Sequence, residues 1–154
     1  MNTNIAKPAK VAIIGASGAY GTGILARAEE LGVEAVVVTR SPHKFKDVKP
    51  TTTVLETQLD DGAKLKEAFT GCDGVISALG DDRKKRPKTH NLPHVWTAMK
   101  AAGVTKYIGM GKNERGPIEC SIYDHGDFCL YCVASNDWNF LAPHVSSGSQ
   151  PKNK

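Results

Sequence analysis

The feature that most restricts the fold is the segment GASGAYG, which spans Gly15–Gly21. It follows the apolar run Val11–Ile14 and precedes Thr22–Leu31, whose apolar residues have helical spacing. Glycines three residues apart allow a tight turn, a close approach of backbone amides to an anion, and close packing of a helix on a sheet. The segment therefore predicts a phosphate-binding turn between a strand and a helix.

The rest of the chain continues this alternation of strands and helices. The predicted strands are Lys10–Ile14, Glu34–Thr39, Thr52–Leu55, Gly74–Leu79, Val104–Met110 and Trp138–Leu141. The predicted helices are Thr22–Leu31, Asp60–Phe69, His90–Ala102 (starting properly near Pro93) and Tyr123–Ser135. This order predicts an α/β fold of the Rossmann-like type, a doubly wound parallel sheet in a three-layer αβα arrangement. The length of 154 residues fits a single domain.

Composition and charge exclude several classes of protein. The net charge of +4 fits an anionic ligand but is too small to argue for nucleic acid, so no nucleic-acid partner is expected. No apolar run approaches the roughly 20 residues that cross a bilayer, and the first ten residues do not resemble a secretory signal. We therefore expect no membrane partner, a cytoplasmic location and reduced thiols.

The residues after the second strand indicate which dinucleotide would bind. NAD-binding domains have an acidic residue there that holds the ribose 2′-hydroxyl. Here the segment Thr39–Lys44 contains no carboxylate. Arg40 can offer a planar fork to a 2′-phosphate, with Ser41 donating a hydrogen bond and Lys44 adding charge. The segment predicts NADP(H) in preference to NAD(H), although a solvated basic loop would have the same composition.

An ordered series of segments resembles a known family. The segments are VAIIGASGAYGTG, VVVTRSPHKF, AKLKEAFTGCDGVISALG, TAMKAAGVTKYIG and APHV, between Val11 and Val145. The chain resembles the atypical short-chain dehydrogenase/reductase family with an NAD(P)H-binding, NmrA-like domain, and most of all its flavin reductase (NADPH)/biliverdin reductase B type. The resemblance implies an N-terminal tail over 1–9, an NAD(P)-binding domain over 10–145 and a polar tail over 146–154.

The resemblance also implies roles for individual residues. The pyrophosphate would lie against Gly15, Ser17, Gly18, Ala19, Tyr20 and Gly21. Arg40, Ser41 and Lys44 would take the 2′-phosphate, and Gln58 and Leu59 would lie along the adenine. The ribose and nicotinamide would be flanked by Ala78, Leu79, Gly80, Pro143, His144 and Val145. The implied substrate is a small planar molecule such as a flavin, a quinone or a tetrapyrrole.

The chain departs from this family at the substrate end. Most short-chain dehydrogenases use a Tyr-x-x-x-Lys pair as acid, but the residues four positions after the tyrosines are Ile24, Gly111, Asp127 and Ser135. Lys112 stands near the place of the usual serine or threonine cluster, so Lys112 and His144 are the catalytic candidates. The chain ends soon after Val145, which we expect to leave an open site.

These departures keep a second function open. A flavin can accept hydride directly while water supplies protons, so the missing pair is compatible with an NADPH-dependent reductase. The alternative is a non-catalytic, NADP(H)-sensing regulatory protein of the NmrA-like type with a protein partner.

Two other groups of residues have compositions that could indicate a function. Cys120, His125, Cys129 and Cys132 have the residue types of a zinc site, but their spacing is more typical of helix packing, so no metal is predicted. Cys129 and Cys132 would also make a poor redox pair in the middle of a helix. The basic segment Arg83–Lys88 is predicted to be a solvated loop.

Overall fold

The computed structural model describes residues 7–79, 87–109 and 122–135. Within these ranges the strands are β1 (Lys10–Ile14), β2 (Glu34–Thr39), β3 (Thr52–Glu56), β4 (Gly74–Ser77) and β5 (Tyr107–Gly109). The α-helices are α1 (Ala19–Glu30), α2 (Gly62–Phe69), α3 (Pro87–Ala102) and α4 (Ile122–Ala134), and a 3-10 turn covers Pro42–Lys44. The predicted sixth strand, Trp138–Leu141, lies outside the described residues.

The strands form one parallel sheet in the order β3-β2-β1-β4-β5. The chain runs outward from β1 to β3 on one side and then returns to place β4 and β5 on the other side. The strand order therefore reverses between β1 and β4, which is where sheets of this kind bind ligands. This arrangement confirms the predicted Rossmann-like α/β fold.

Both faces of the sheet are covered, and this explains the uninterrupted apolar runs in the strands. Val11 and Ile13 of β1 belong to a cluster that packs with α1 and α4. Ala12 and Ile14, which point to the opposite face, belong to a cluster that packs with α2 and α3. The predicted three layers are confirmed. Within the described residues, no helix combines the length and apolar character that crossing a bilayer requires.

Several element boundaries differ from the prediction for identifiable reasons. Helix α1 begins at Ala19 instead of Thr22, because Gly18 has an extended backbone and is the N-cap. Strand β4 ends at Ser77 instead of Leu79, because its partner β1 ends at Ile14. Helix α3 begins at Pro87, so the end of the predicted basic loop is helical and Pro93 lies inside the helix. Proline is tolerated at Pro87 because the first helical N–H has no intrahelical acceptor.

A glycine in the middle of α4 has a packing explanation. Helices α1 and α4 lie against each other, and a Cβ added to Gly126 would lie 3.0 Å from the carbonyl oxygen of Gly23 and 3.2 Å from Cγ of Arg27. A larger residue would push the two helices apart. The contact is reinforced by Arg27, which is buried and forms ion pairs with Asp127 of α4 and, at 2.5 Å, with Glu30.

Candidate dinucleotide-binding site

The glycine turn lies at the point where the strand order reverses. Gly15 follows β1 with a φ of +79°, a conformation that residues other than glycine rarely adopt. A Cβ on Gly15 would lie 3.1 Å from both the carbonyl carbon of Ala78 and the backbone nitrogen of Leu79. The turn is therefore in direct contact with the residues that leave β4. Of the predicted site residues, the fold brings Gly15, Ala78 and Leu79 together.

The turn delivers the chain into the first turn of α1. The backbone N–H of Gly18 donates to the carbonyl oxygen of Gly15 at 3.1 Å, and Ala19 is the first helical residue. The first turn of a helix has no intrahelical acceptors for its N–H groups and carries a partial positive charge. No acidic side chain lies in the first turn of α1. This helix end is therefore suited to an anion such as a pyrophosphate.

The three glycines of the turn have different structural roles. A Cβ on Gly21 would lie 2.1 Å from the carbonyl oxygen of Gly15 and 2.6 Å from Cα of Ala16, so Gly21 permits close packing of α1 on the turn. A Cβ on Gly18 would approach only the carbonyl oxygen of Gly15, at 3.5 Å. Gly18 thus leaves open space at the helix end, and the protein itself could accommodate a Cβ there. Ser17 and Tyr20 are exposed beside this space.

The end of β2 carries the predicted 2′-phosphate residues. Arg40 and Lys44 are exposed, and Ser41 is half-buried with its backbone N–H donating to Oγ1 of Thr39 at 3.0 Å. The 3-10 turn that follows is closed by the bond from the N–H of Phe45 to the carbonyl oxygen of Pro42, at 3.0 Å. Phe45 packs against the apolar cluster beneath, which holds the turn against the sheet.

A cleft of about 420 Å³ adjoins Arg40. Its walls are formed by the end of β3 and the start of α2. The lining residues are Arg40, Glu56, Thr57, Gln58, Asp60, Asp61 and Lys64. Gln58 therefore faces the cleft, whereas Leu59 packs partly buried against the apolar cluster below the sheet. The sequence analysis did not assign the three carboxylates to this site; Asp60 and Asp61 lie in the segment after β3, which could have indicated them, whereas Glu56 is the last residue of β3 itself.

The remaining predicted residues of the nicotinamide and substrate end lie outside the described residues. They are Gly80, Lys112, Pro143, His144 and Val145. Their roles stay predictions.

Two hydroxyl groups, those of Tyr107 and Ser77, are hydrogen-bonded to each other at the ends of β5 and β4. The phenol of Tyr107 on β5 forms a side-chain hydrogen bond with Ser77, which is buried at the end of β4. Burial raises the pKa of Tyr107, and the bond with Ser77 offsets part of this effect. Tyr107 is followed by Gly111 four residues later, so it lacks the lysine of a Tyr-x-x-x-Lys pair.

Asp127 stands four residues after Tyr123, where a Tyr-x-x-x-Lys pair that used this tyrosine would need a lysine. Its carboxylate is paired with Arg27 of α1. The Asp127 bond is the main cause that raises the pKa of Arg27, against the opposing effect of burial. Asp127 therefore stabilises the contact between the helices.

The described cysteines are buried thiols. Burial raises the pKa of Cys72 to about 11 and also raises that of Cys132, although nearby Lys106 lowers the latter. Reactive cysteines have lowered pKa values, so Cys132 lacks the character of a redox residue. Cys120 and the side chain of His125 are outside the described set, and no group of three metal-ligating side chains occurs among those described.

Comparison with known proteins agrees with this geometry. Residues 15–115 match the model of the NAD(P)H-binding family, which is about two thirds of the chain. The chain belongs to the NAD(P)H-binding family. The matched range includes the glycine turn, the end of β2 and the cleft beside Arg40.

Solved structures with the same fold include a candidate epimerase from Bacteroides thetaiotaomicron, with 28% identity and a TM-score of 0.60 over 68% of this chain and 48% of that chain. The uronate dehydrogenase of Agrobacterium tumefaciens has 17% identity and a TM-score of 0.57, over 67% of this chain and 40% of that chain. The oxidoreductase YlbE of Lactococcus lactis has 14% identity and a TM-score of 0.59, over 80% of this chain and 60% of that chain. This NAD(P)H-binding chain spans about half the length of these structures.

Proposed function

We propose that the chain is an NADPH-dependent reductase that transfers hydride to a flavin or a similar planar acceptor, such as a quinone or a tetrapyrrole. The observation that carries the proposal is the contact between the glycine turn and the exit of β4, next to the N-terminus of α1. The contact sets the N-terminus of α1, which is suited to an anion, at the position where the strand order reverses, and this supports dinucleotide binding.

The residues that are present fit a dinucleotide. The open space above Gly18 and the absence of acidic residues from the first turn of α1 suit a pyrophosphate. Arg40 is exposed at the cleft, which supports a preference for NADP(H), with Ser41 and Lys44 beside it as further proposed contacts. The backbone of Ala78 and Leu79 would flank the ribose that leads to the nicotinamide.

The choice of acceptor follows from the acid that is missing. When bound, the reduced nicotinamide supplies a hydride. Short-chain dehydrogenases that reduce a carbonyl use a Tyr-x-x-x-Lys pair as the proton donor, and none of the four tyrosines of this chain is followed by a lysine four residues later. A flavin-like acceptor takes hydride without a protein acid, since water can supply the proton. Lys112 and His144 are the residues that we propose beside this acceptor.

The test is oxidation of NADPH followed at 340 nm with FMN, riboflavin, menadione or biliverdin as acceptor. We expect protein-dependent oxidation with at least one acceptor, and little oxidation when the acceptor is omitted. Tight binding of NADPH without oxidation by any of the four would contradict the reductase proposal. That result would favour the NADP(H)-sensing alternative, whose protein partner would then be sought by pull-down with the reduced and the oxidised cofactor.

A further inference from the structure

The cleft beside Arg40 carries three carboxylates and two cations. A site that binds only 2′-phosphorylated ligands is expected to have more positive than negative side chains, which is the reverse of what this cleft has. We propose that Glu56 is a specificity-determining residue that opposes the 2′-phosphate, so that the chain binds both NADP(H) and NAD(H). This inference rests on the proposed binding of a dinucleotide, in which the adenosine end lies in this cleft.

Glu56 is placed next to Arg40 by the register of the sheet. It is the last residue of β3 and pairs with Thr39, the residue that precedes Arg40. Neighbouring strands lie about 4.8 Å apart, so the backbone of Glu56 is one strand away from that of the arginine segment. The Glu56 side chain is exposed, and among the residues the structure describes no cation forms an ion pair with it. Its charge therefore contributes to the potential of the cleft.

Two of the other charged side chains around the cleft, Asp61 and Lys64, make structural hydrogen bonds, whereas the carboxylate of Glu56 does not. Oδ1 of Asp61 accepts a hydrogen bond from the backbone N–H of Lys64 at 3.1 Å and caps α2. Nζ of Lys64 donates to the backbone carbonyl oxygen of Glu56 at 3.3 Å, which places this ammonium at the end of β3. The side-chain carboxylate of Glu56 takes part in neither bond. Glu56 can therefore be neutralised while the cap and the lysine contact are kept.

The effect on binding follows from the charges of the ligands. A 2′-phosphate carries nearly two negative charges, whereas a 2′-hydroxyl carries none, so a nearby carboxylate penalises only the phosphate. At surface dielectric constants and separations within a Debye length, removing one such charge changes affinity about 3- to 10-fold. We expect Glu56→Gln to strengthen binding of the 2′-phosphorylated ligand by this factor.

The probes are 2′,5′-ADP and 5′-ADP, whose dissociation constants are measured by calorimetry in low salt. Glu56→Gln should lower the Kd of 2′,5′-ADP by about 3- to 10-fold and leave that of 5′-ADP within about twofold. The increase in affinity for 2′,5′-ADP should be smaller in about 0.5 M salt, because salt screens the repulsion between the Glu56 carboxylate and the 2′-phosphate. The matched control is Glu34→Gln, which neutralises an exposed glutamate at the opposite end of β2. Circular dichroism would verify that both variants fold.

The outcomes separate this inference from the proposed function. An unchanged Kd in Glu56→Gln, equal changes for both probes, or the same gain in Glu34→Gln would overturn the inference. Selective tightening of 2′,5′-ADP in Glu56→Gln supports it, even if no acceptor oxidises NADPH and the reductase proposal fails. If the unaltered protein binds neither probe, both proposals are wrong.

Discussion

The glycine turn allows the effect of packing to be separated from that of ligand approach. In Gly21→Ala, the new Cβ would lie 2.1, 2.6 and 2.8 Å from three backbone atoms of Gly15 and Ala16. Carbon atoms normally pack at about 3.5–4.0 Å, so the turn or the helix would have to move by about 1 Å. Overpacking of this kind costs about 1–3 kcal/mol, and the better helix propensity of alanine returns less than about 1 kcal/mol.

Gly18→Ala is the contrasting variant. Its backbone is extended, with φ −81° and ψ 171°, and the only atom near the new Cβ is the carbonyl oxygen of Gly15 at 3.5 Å. The loss of a good N-cap residue should cost no more than about 1 kcal/mol. The Cβ would, however, occupy the open space at the helix end that we propose for the pyrophosphate, so we expect the Kd of NADPH to rise about tenfold or more. Gly62→Ala serves as control because nothing lies within 4 Å of its added Cβ.

The assays are thermal unfolding followed by circular dichroism and titration of NADPH fluorescence. For a chain of this size, 1 kcal/mol corresponds to about 2–4 °C in Tm, so Gly21→Ala should melt about 2–10 °C lower. Gly62→Ala should melt at or slightly above the temperature of the unaltered protein. A Gly21→Ala variant as stable as Gly62→Ala would refute the packing argument. A Gly18→Ala variant that loses as much stability as Gly21→Ala, or that binds NADPH normally, would refute the role assigned to Gly18.

Three further predictions concern charges. Arg40→Asp should raise the Kd of 2′,5′-ADP at least about tenfold in calorimetry with little change for 5′-ADP, and an unchanged ratio would disprove the 2′-phosphate assignment. Asp127→Ala should lower the free energy of unfolding, measured in urea, by about 1–3 kcal/mol, because the side chain of Arg27 is 2% exposed and that of Asp127 is 25% exposed. An unchanged free energy of unfolding would show that the ion pair contributes little. Folding raises the pKa of Cys72 from 9.0 to about 11, so the folded state holds the thiol proton more tightly than the unfolded state does. The stabilisation that this buried thiol provides is complete below pH 9 and is lost as the pH rises to about 11. Cys72→Ala should flatten that part of the stability–pH curve measured by urea unfolding.

Sequence reasoning succeeded where the signal is local. The apolar runs at Val11–Ile14 and Glu34–Thr39 predicted both strands with their observed bounds. Two boundary errors have different structural causes. Strand β4 ends where its partner β1 ends, and α1 begins three residues early because Gly18 can act as the cap. Neither effect leaves a periodic pattern in the sequence.

The same distinction holds for the candidate site. The glycine turn and Arg40 could be predicted as candidates because each follows a strand and has a residue type suited to an anion. The carboxylate of Glu56 could not be assigned to this site with the same ease, because its place beside the arginine segment depends on the pairing of Thr39 with Glu56.

By itself, the sequence determined the α/β class, the burial of both faces of the sheet and the glycine turn between β1 and α1, because these depend on backbone periodicity and on the conformational freedom of glycine. The tertiary structure decided which distant charges meet. Arg27 and Asp127 are separated by 100 positions, and the packing of α1 on α4 brings them together. Such contacts depend on strand register and helix packing, which are set by the summed burial of the whole core and leave no local mark at the residues concerned.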